Sequence, residues 1–173
     1  MRPKPFLCML CLSLISLAGC SQDLQWSAVY HMIDTEFPDI RQISTDSLYA
    51  EFADSSVTKP VLLDVRTEAE YAVSHLAGAL RVDPDDPDWI ALDTLSRATP
   101  IVTYCSVGYR SSRLADQMAE RGFTHVANLK GSMFKWANEG RPVYRAGKLV
   151  RAVHPYDKVW GSLLRKDLRA YSP

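Results

Sequence analysis

The sequence predicts an α/β protein with three α/β/α layers around a five-stranded, mostly parallel central sheet. Short apolar runs alternate with helical patterns along most of the chain, which is typical of strand–helix–strand units. The run Pro60–Arg66 is continuously apolar up to its final charges, as expected for a strand covered on both faces. The 173 residues are 47% hydrophobic and 23% charged, which is ordinary for one soluble domain.

The other predicted elements follow in order along the chain. Four further apolar runs predict strands at residues 40–44, 79–82, 101–104 and 125–129. Helical patterns predict a short helix within residues 21–40 and further helices at 45–52, 67–73, 89–95, 112–120 and 131–138. Thr67 and Glu70 match a capping box at the start of one helix, and Gly122 is placed to end another.

One cysteine stands at the end of a predicted strand. Cys105 follows the run 101–104, and the loop after it contains Gly108 and Arg110 before the helical pattern begins. The free N–H groups of the helix start, the helix dipole and the arginine all favour a thiolate at this position. Asp64 and Arg66 close the neighbouring strand, at the edge where open α/β sheets bind ligands. The pattern therefore predicts an activated nucleophile in an anion-binding loop.

The first residues predict export. Arg2 and Lys4 precede an apolar run over residues 6–18, which has the length of a signal-peptide core. The run ends in Leu-Ala-Gly-Cys20, which resembles the lipobox of bacterial lipoproteins. That resemblance implies a signal peptide over 1–19, lipid on Cys20 and a spacer with a helix over 20–40. Ser21 resembles the sorting residue of outer-membrane lipoproteins, which implies a cell-envelope location facing the periplasm. The alternative is a plain secretory signal with a chance cysteine.

Charge and cysteine content argue against several kinds of partner and site. The formal net charge is zero, so no global field favours nucleic acid, and we expect no nucleic-acid partner. If Cys8 and Cys11 leave with the signal and Cys20 carries lipid, Cys105 is the single remaining thiol. A lone cysteine forms neither an internal disulfide nor a multi-cysteine zinc site, and the histidines have no metal-ligand spacing. We therefore expect no metal site.

Several separate motifs, in order, resemble a rhodanese domain over residues 41–145. These motifs are Leu63-Asp64-Val65-Arg66, Glu70-Tyr71, His75-Leu76-Ala77-Gly78-Ala79, Cys105-Ser106-Val107-Gly108-Tyr109-Arg110-Ser111, and Leu129-Lys130-Gly131-Ser132 with Trp136, Gly140, Pro142 and Val143. The last motif departs from the family at Ser132, where a second glycine is frequent. The chain is thus identified as a rhodanese-like domain in a bacterial lipoprotein.

The resemblance implies a sulfurtransferase that works through a persulfide on Cys105. The donor is expected to be thiosulfate or a related compound, the acceptor a thiol or cyanide, and no metal or organic cofactor is required. Backbone N–H groups of the loop would face the developing sulfur anion. The expected substrate-binding residues are the loop residues Ser106, Val107, Gly108, Tyr109 and Arg110.

Three residues outside the loop are expected to support it. Asp64 and Arg66 are predicted to tie the strand end to Glu70 or to the loop, and His75 is expected to fix a turn. For Arg110, bracing the loop and contacting the donor anion are both open. For Cys105 the alternative is an inert core cysteine.

The tail over residues 146–173 lies beyond the resemblance. Its apolar residues recur at helical spacing opposite basic ones, which predicts an amphipathic helix. We favour packing of this helix on the domain, where Trp136 and Trp160 would share one core, over a position on the membrane surface.

Two other functions remain open at this point. A cysteine phosphatase or arsenate reductase would resemble its family in having five residues between cysteine and arginine, whereas four separate Cys105 from Arg110. The shorter loop makes a tighter ring of amides, which suits one sulfur atom better than a tetrahedral oxyanion. The other alternative is a non-catalytic binding or persulfide-carrier module of the envelope.

Overall fold

The computed structural model describes residues 10–173, with side chains from residue 22 onward. Its main elements confirm the predicted α/β fold. The helices are α1 (Leu10–Glu36), α2 (Thr45–Ala53), α3 (Glu68–Val73), α4 (Trp89–Leu92), α5 (Tyr109–Glu120) and α6 (Ser132–Asn138). The strands are β1 (Gln42–Ile43), β2 (Val61–Asp64), β3 (Leu80–Arg81), β4 (Ile101–Tyr104), β5 (Val126–Leu129), β6 (Val143–Arg145) and β7 (Lys148–Val150).

The central sheet has the strand order β1-β5-β4-β2-β3, and all of its strand pairs are parallel. Strands β2 and β4 lie side by side, with Asp64 opposite Tyr104. The carboxyl ends of these two strands therefore meet, and the residues that follow them share one edge of the sheet. This is the edge at which the sequence placed the nucleophile.

Apolar clusters cover both faces of the sheet. On one face, α1, α2, α6 and the C-terminal segment bury a cluster that includes Leu48, Phe134 and Trp136. On the other, α4 and α5 bury a smaller cluster that includes Leu92, Leu114 and Met118. Burial on both sides explains why β2 and β4 are mostly apolar.

The N-terminal helix is longer than the sequence suggested. We expected a short helix within residues 21–40, but α1 continues unbroken from Leu10 to Glu36 and ends just before Pro38. Proline has no N–H to continue a helix, and Phe37 and Ile40 pack into the core there. Among the described residues, no helix has both the length and the apolar content to cross a membrane. Residues 1–9 of the predicted signal peptide (1–19) lie outside the described residues, and the side chain of Cys20 lies outside them as well.

The C-terminal segment differs from the prediction in form but packs where we expected. A hairpin of β6 and β7, which the sequence analysis missed, is followed by two short 3₁₀ helices, Trp160–Leu163 and Lys166–Leu168, instead of one amphipathic helix. Leu163, Leu164 and Leu168 are buried, and Trp160 packs against the cluster that contains Trp136. The apolar residues of this segment contact the domain from separate turns, and their burial takes the place of one regular helix.

Candidate active site

Cys105 lies directly after β4, in a four-residue loop that leads into α5. The helix begins at Tyr109, three residues before the predicted start, so Arg110 belongs to its first turn. Gly108 adopts φ +120°, and its N–H donates a hydrogen bond to Cys105 Sγ at 3.1 Å. A Cβ at Gly108 would lie 3.2 Å from both Asn128 and Ile33, so glycine meets a spatial requirement as well as a conformational one.

The surroundings of the Cys105 sulfur favour its anion. Burial alone would raise the pKa of the thiol, since the residue is only 1% exposed. The Arg110 charge and hydrogen bonds from Ser111 and Gly108 outweigh burial and lower the pKa of Cys105 below its usual value. This environment favours a reactive thiolate over an inert core cysteine.

Glu70 holds the loop together, a role that the sequence analysis did not assign to it. Both of its carboxylate oxygens accept hydrogen bonds from Arg110, at 2.9 and 2.8 Å, and one accepts from Ser106 Oγ at 2.6 Å. The same carboxylate closes the predicted capping box of α3 with Thr67. Arg110 is therefore a brace of the loop, and its charge is already paired within the protein.

Burial and ion pairing act in opposite directions on Glu70. Burial raises the pKa of its carboxyl, but the Arg110 guanidinium and the Ser106 hydroxyl lower it more, to about 2. The face of the Arg110 guanidinium lies 4.7 Å from the centre of the Tyr156 ring. Arg110 is thus held from two sides.

The start of α6 fixes the backbone of the loop. The N–H groups of Met133 and Phe134 donate to the carbonyl oxygens of Cys105 and Ser106, at 3.1 and 3.0 Å. Ser132 adopts φ +49°, and its hydroxyl accepts a hydrogen bond from the Cys105 N–H at 3.2 Å. The serine at this position therefore holds the nucleophile through its backbone, which a glycine would not do.

The three predicted supporting residues lie near the loop but do not contact it as expected. Asp64 and Arg66 form a fully buried ion pair with each other, with two hydrogen bonds of 2.8 and 2.7 Å. Arg66 also donates to the Ser74 carbonyl, which ties β2 to the end of α3; it does not bond Glu70. The ring of His75 stacks on Tyr71 at 4.0 Å, and its backbone pairs with Tyr144. This arrangement supports a structural role for all three.

A pocket of about 300 Å³ opens above the loop. We call its loop side the floor, which consists of Cys105, Ser106, Val107, Tyr109 and Arg110. We call the opposite side the walls, which consist of Met32 and Glu36 from α1 and of Tyr156 and Trp160 from the C-terminal segment. All the predicted loop residues except Gly108 line the pocket. Gly108 does not line it, but its N–H donates a hydrogen bond to the Cys105 sulfur. The sequence analysis missed the walls, because helix-forming residues and a tail give no local signal of a pocket.

One hydrogen bond joins the floor to the walls. The Tyr109 hydroxyl donates to Glu36 Oε1 at 2.6 Å, and the Tyr109 ring packs edge-on against Phe37. Among the side chains that the structure describes, no group of three or more histidine, cysteine or acidic residues is placed to hold a metal ion.

Fold and site together define an α/β protein that has, among its described side chains, one buried cysteine with a lowered pKa at the carboxyl edge of a parallel sheet. The family model of the rhodanese-like domain matches residues 44–139, which is more than half of the chain. The protein belongs to the rhodanese-like family, as its motifs predicted.

Relatives within the family differ in what they do. A sulfurtransferase of Allochromatium vinosum is 32% identical over 105 residues, which cover 60% of this chain and 94% of that protein. A tRNA uridine(34) hydroxylase of Oceanobacillus iheyensis is 32% identical over 84 residues, but the match spans only 26% of its length. The match to the sulfurtransferase, nearly complete on that side, supports an enzyme of the sulfurtransferase type.

Solved structures agree on the fold. A rhodanese-like domain protein from Staphylococcus aureus has a TM-score of 0.53 and 23% identity, and covers 61% of this chain and 98% of its own. The BH2092 protein from Bacillus halodurans has a TM-score of 0.60 and 20% identity, with coverage of 79% and 97%. At these identities the similarity is one of fold.

Proposed function

We propose that the protein is a sulfurtransferase that carries a sulfane sulfur on Cys105 from thiosulfate or a related donor to a thiophilic acceptor. The observation that carries the proposal is the sulfur environment: a buried thiol at a strand end, with the Gly108 N–H at 3.1 Å and a lowered pKa. The Cys105 thiolate attacks the outer sulfur of the donor, the bond between the donor's two sulfurs breaks, and the remaining anion leaves with its electron pair. No metal or organic cofactor takes part in this scheme.

The loop residues then have distinct roles in the proposed reaction. The Gly108 N–H stabilises the thiolate that is released when the acceptor removes the sulfur. Arg110 lowers the pKa of Cys105 while Glu70 holds it in place, so donor anions are not its main partner. The spacing of four residues between Cys105 and Arg110 also disfavours the phosphatase and arsenate reductase alternatives.

The experiment that tests the proposal is an intact-mass measurement after treatment with thiosulfate. We expect a gain of one sulfur atom, located on the peptide that contains Cys105, and thiocyanate formation when cyanide is added. The Cys105→Ser variant should show neither, and Ser96→Ala serves as a surface control. Folded protein that gains no sulfur from several sulfane donors would contradict the proposal, and a single turnover would favour the carrier alternative.

We further propose that the protein is anchored to the bacterial envelope through lipid on Cys20, in the outer membrane and facing the periplasm. The support is the lipobox-like sequence that ends at Cys20. Cells that express Cys20→Ala should release the protein into the soluble fraction, whereas the parent stays with the membranes. Equal membrane retention of both would exclude the anchor.

A further inference from the structure

The walls of the pocket come from outside the family domain. The family model spans residues 44–139, whereas the walls are supplied by α1 and by residues 156 and 160. The Leu163 carbonyl fixes these parts together, since it accepts hydrogen bonds from Gln22 on α1, at 3.2 Å, and from Asn138 on α6, at 2.7 Å. The site is thus completed by segments that lie outside the matched domain.

The charges around the pocket are unbalanced. Arg110, the cation of the floor, is already paired with Glu70 by two hydrogen bonds. Glu36 lies at the opposite wall, and within the described side chains no cation forms an ion pair with it; its contact is the Tyr109 hydroxyl. Because Arg110 is paired with Glu70, the Glu36 carboxylate leaves the pocket with excess negative charge, and the Cys105 thiolate adds to it before sulfur is loaded. Such a pocket favours a cation over an anion of similar size, so thiosulfate, an anion, should load Cys105 more slowly than a neutral donor while still reaching it.

The remaining wall surface is apolar and polarizable. Met32, Tyr156 and Trp160 present a thioether and two aromatic rings to a cavity of about 300 Å³. This volume is at the small end of ligand pockets and fits a compact organic molecule. Aromatic faces also attract ammonium groups.

We propose, on the basis of the sulfurtransferase function above, that the walls select a small acceptor thiol that carries a cationic amine, an aminothiol, with Glu36 as the residue that recognises its charge. The acceptor thiolate attacks the outer sulfur of the Cys105 persulfide and forms a new S–S bond. The bond between that sulfur and Cys105 Sγ breaks, and its electron pair stays on Sγ as the thiolate that Gly108 stabilises. The products are an aminothiol persulfide and free Cys105, so no oxidant or reductant is needed.

The first test is independent of turnover. The full-length protein is treated with two methanethiosulfonates of similar size, one bearing an ammonium and one a sulfonate, and the rate of disulfide formation at Cys105 is followed by peptide mass. We expect the ammonium reagent to react faster. In Glu36→Gln the two rates should each shift about threefold in opposite directions, so that their ratio falls about tenfold. Glu120→Gln, at the far end of α5, is the matched control and should keep the parent ratio.

The second test uses the reaction itself. With persulfide-loaded protein, sulfur transfer to cysteamine is compared with transfer to mercaptoacetate, and each rate in Glu36→Gln is divided by that of the parent. We expect the quotient to fall for cysteamine and to rise for mercaptoacetate, by about threefold each. Because only quotients are compared, differences in intrinsic thiol reactivity cancel.

The possible outcomes distinguish a failure of this inference from a failure of the sulfurtransferase proposal. A rate ratio that is the same in Glu36→Gln and the parent overturns the role of Glu36, even if Cys105 loads and turns over normally. Failure of both reagents to reach Cys105 overturns the pocket as the route to the sulfur. Failure to form a persulfide, with the charge preference intact, instead contradicts the sulfurtransferase proposal and leaves the cation-selective pocket standing.

Discussion

The floor and the walls of the pocket are held by different kinds of interaction. The floor rests on buried charged groups with side chains that are at most 18% exposed: Arg110 within it, its partner Glu70, and the Asp64–Arg66 pair beside it. The walls rest on apolar packing of α1 and the C-terminal segment, and their charged member, Glu36, is exposed. The floor is therefore rigid and intolerant of charge changes, whereas the walls can vary while the nucleophile is kept.

The largest effect should follow from breaking the buried pair beside the floor. Asp64→Asn leaves the Arg66 charge without its carboxylate in a site that water does not reach. We expect a loss of about 4 kcal/mol in the free energy of unfolding, measured by urea titration. Asp83→Asn is a matched control, because Asp83 pairs with Arg81 at the same sequence separation but on the surface. Equal, small losses in both variants would contradict the difference between buried and exposed pairs.

A smaller loss is expected for the carboxylate that holds the loop. Glu70→Gln should lower the free energy of unfolding by about 2 kcal/mol, because Arg110 is partly exposed and the amide keeps some hydrogen bonds. Since folding lowers the pKa of Glu70 to about 2, its stabilisation is present above the ordinary value of 4.5 and is lost as pH falls toward 2.

The pH dependence distinguishes this carboxylate from others on the same helix. Unfolding measured between pH 4.5 and pH 2 should lose stability less steeply in Glu70→Gln than in the parent. Glu68→Gln, an exposed residue of α3, should follow the parent curve. A parent-like slope in Glu70→Gln would show that another group is responsible.

The hydrogen bond from the Cys105 N–H to Ser132 should be worth less again. Ser132→Ala keeps the backbone strain at φ +49° but removes the acceptor, so we expect a loss of about 1 kcal/mol in urea unfolding. Ser112→Ala is the control: its hydroxyl is also buried but has no partner among the described residues. An unchanged or raised stability of Ser132→Ala would contradict a stabilising role for this hydrogen bond.

The smallest effect is expected where the floor meets the walls. Tyr109→Phe removes a hydrogen bond to Glu36 at the surface, and we expect a loss of no more than about 0.5 kcal/mol in the free energy of unfolding. A loss as large as that of Glu70→Gln would show that the walls are fixed as firmly as the floor.

The sequence predicted the floor well, because its chemistry is encoded locally. A strand, Cys105, a glycine and an arginine in one short stretch predicted a cysteine at a strand end before a helix, which the structure confirms, and Thr67 with Glu70 correctly predicted the start of α3. No local pattern indicated that Glu70 also binds Arg110 and so holds the loop. Its contact with Arg110 joins residues 40 positions apart, and only the pairing of β2 with β4 brings them together.

The walls could not be predicted either, because they too depend on contacts between residues that are far apart in the sequence. The apolar residues of the C-terminal segment recur at helical spacing, but their burial against the domain outweighs helix formation, and short 3₁₀ turns result. Nothing in the local pattern of α1 indicates that Met32 and Glu36 face a pocket, since that depends on where the helix docks on the sheet.

The bond from Asn138 to the Leu163 carbonyl has a consequence for the newly made chain. Cys105 and its loop are synthesised before residues 154–168, which complete the walls of the pocket. Until that segment docks, Cys105 lacks the cover that Tyr156 and Trp160 provide in the folded protein. Since susceptibility of a thiol to oxidation rises with its exposure, docking of the last residues should protect Cys105 from oxidants as well as complete the pocket.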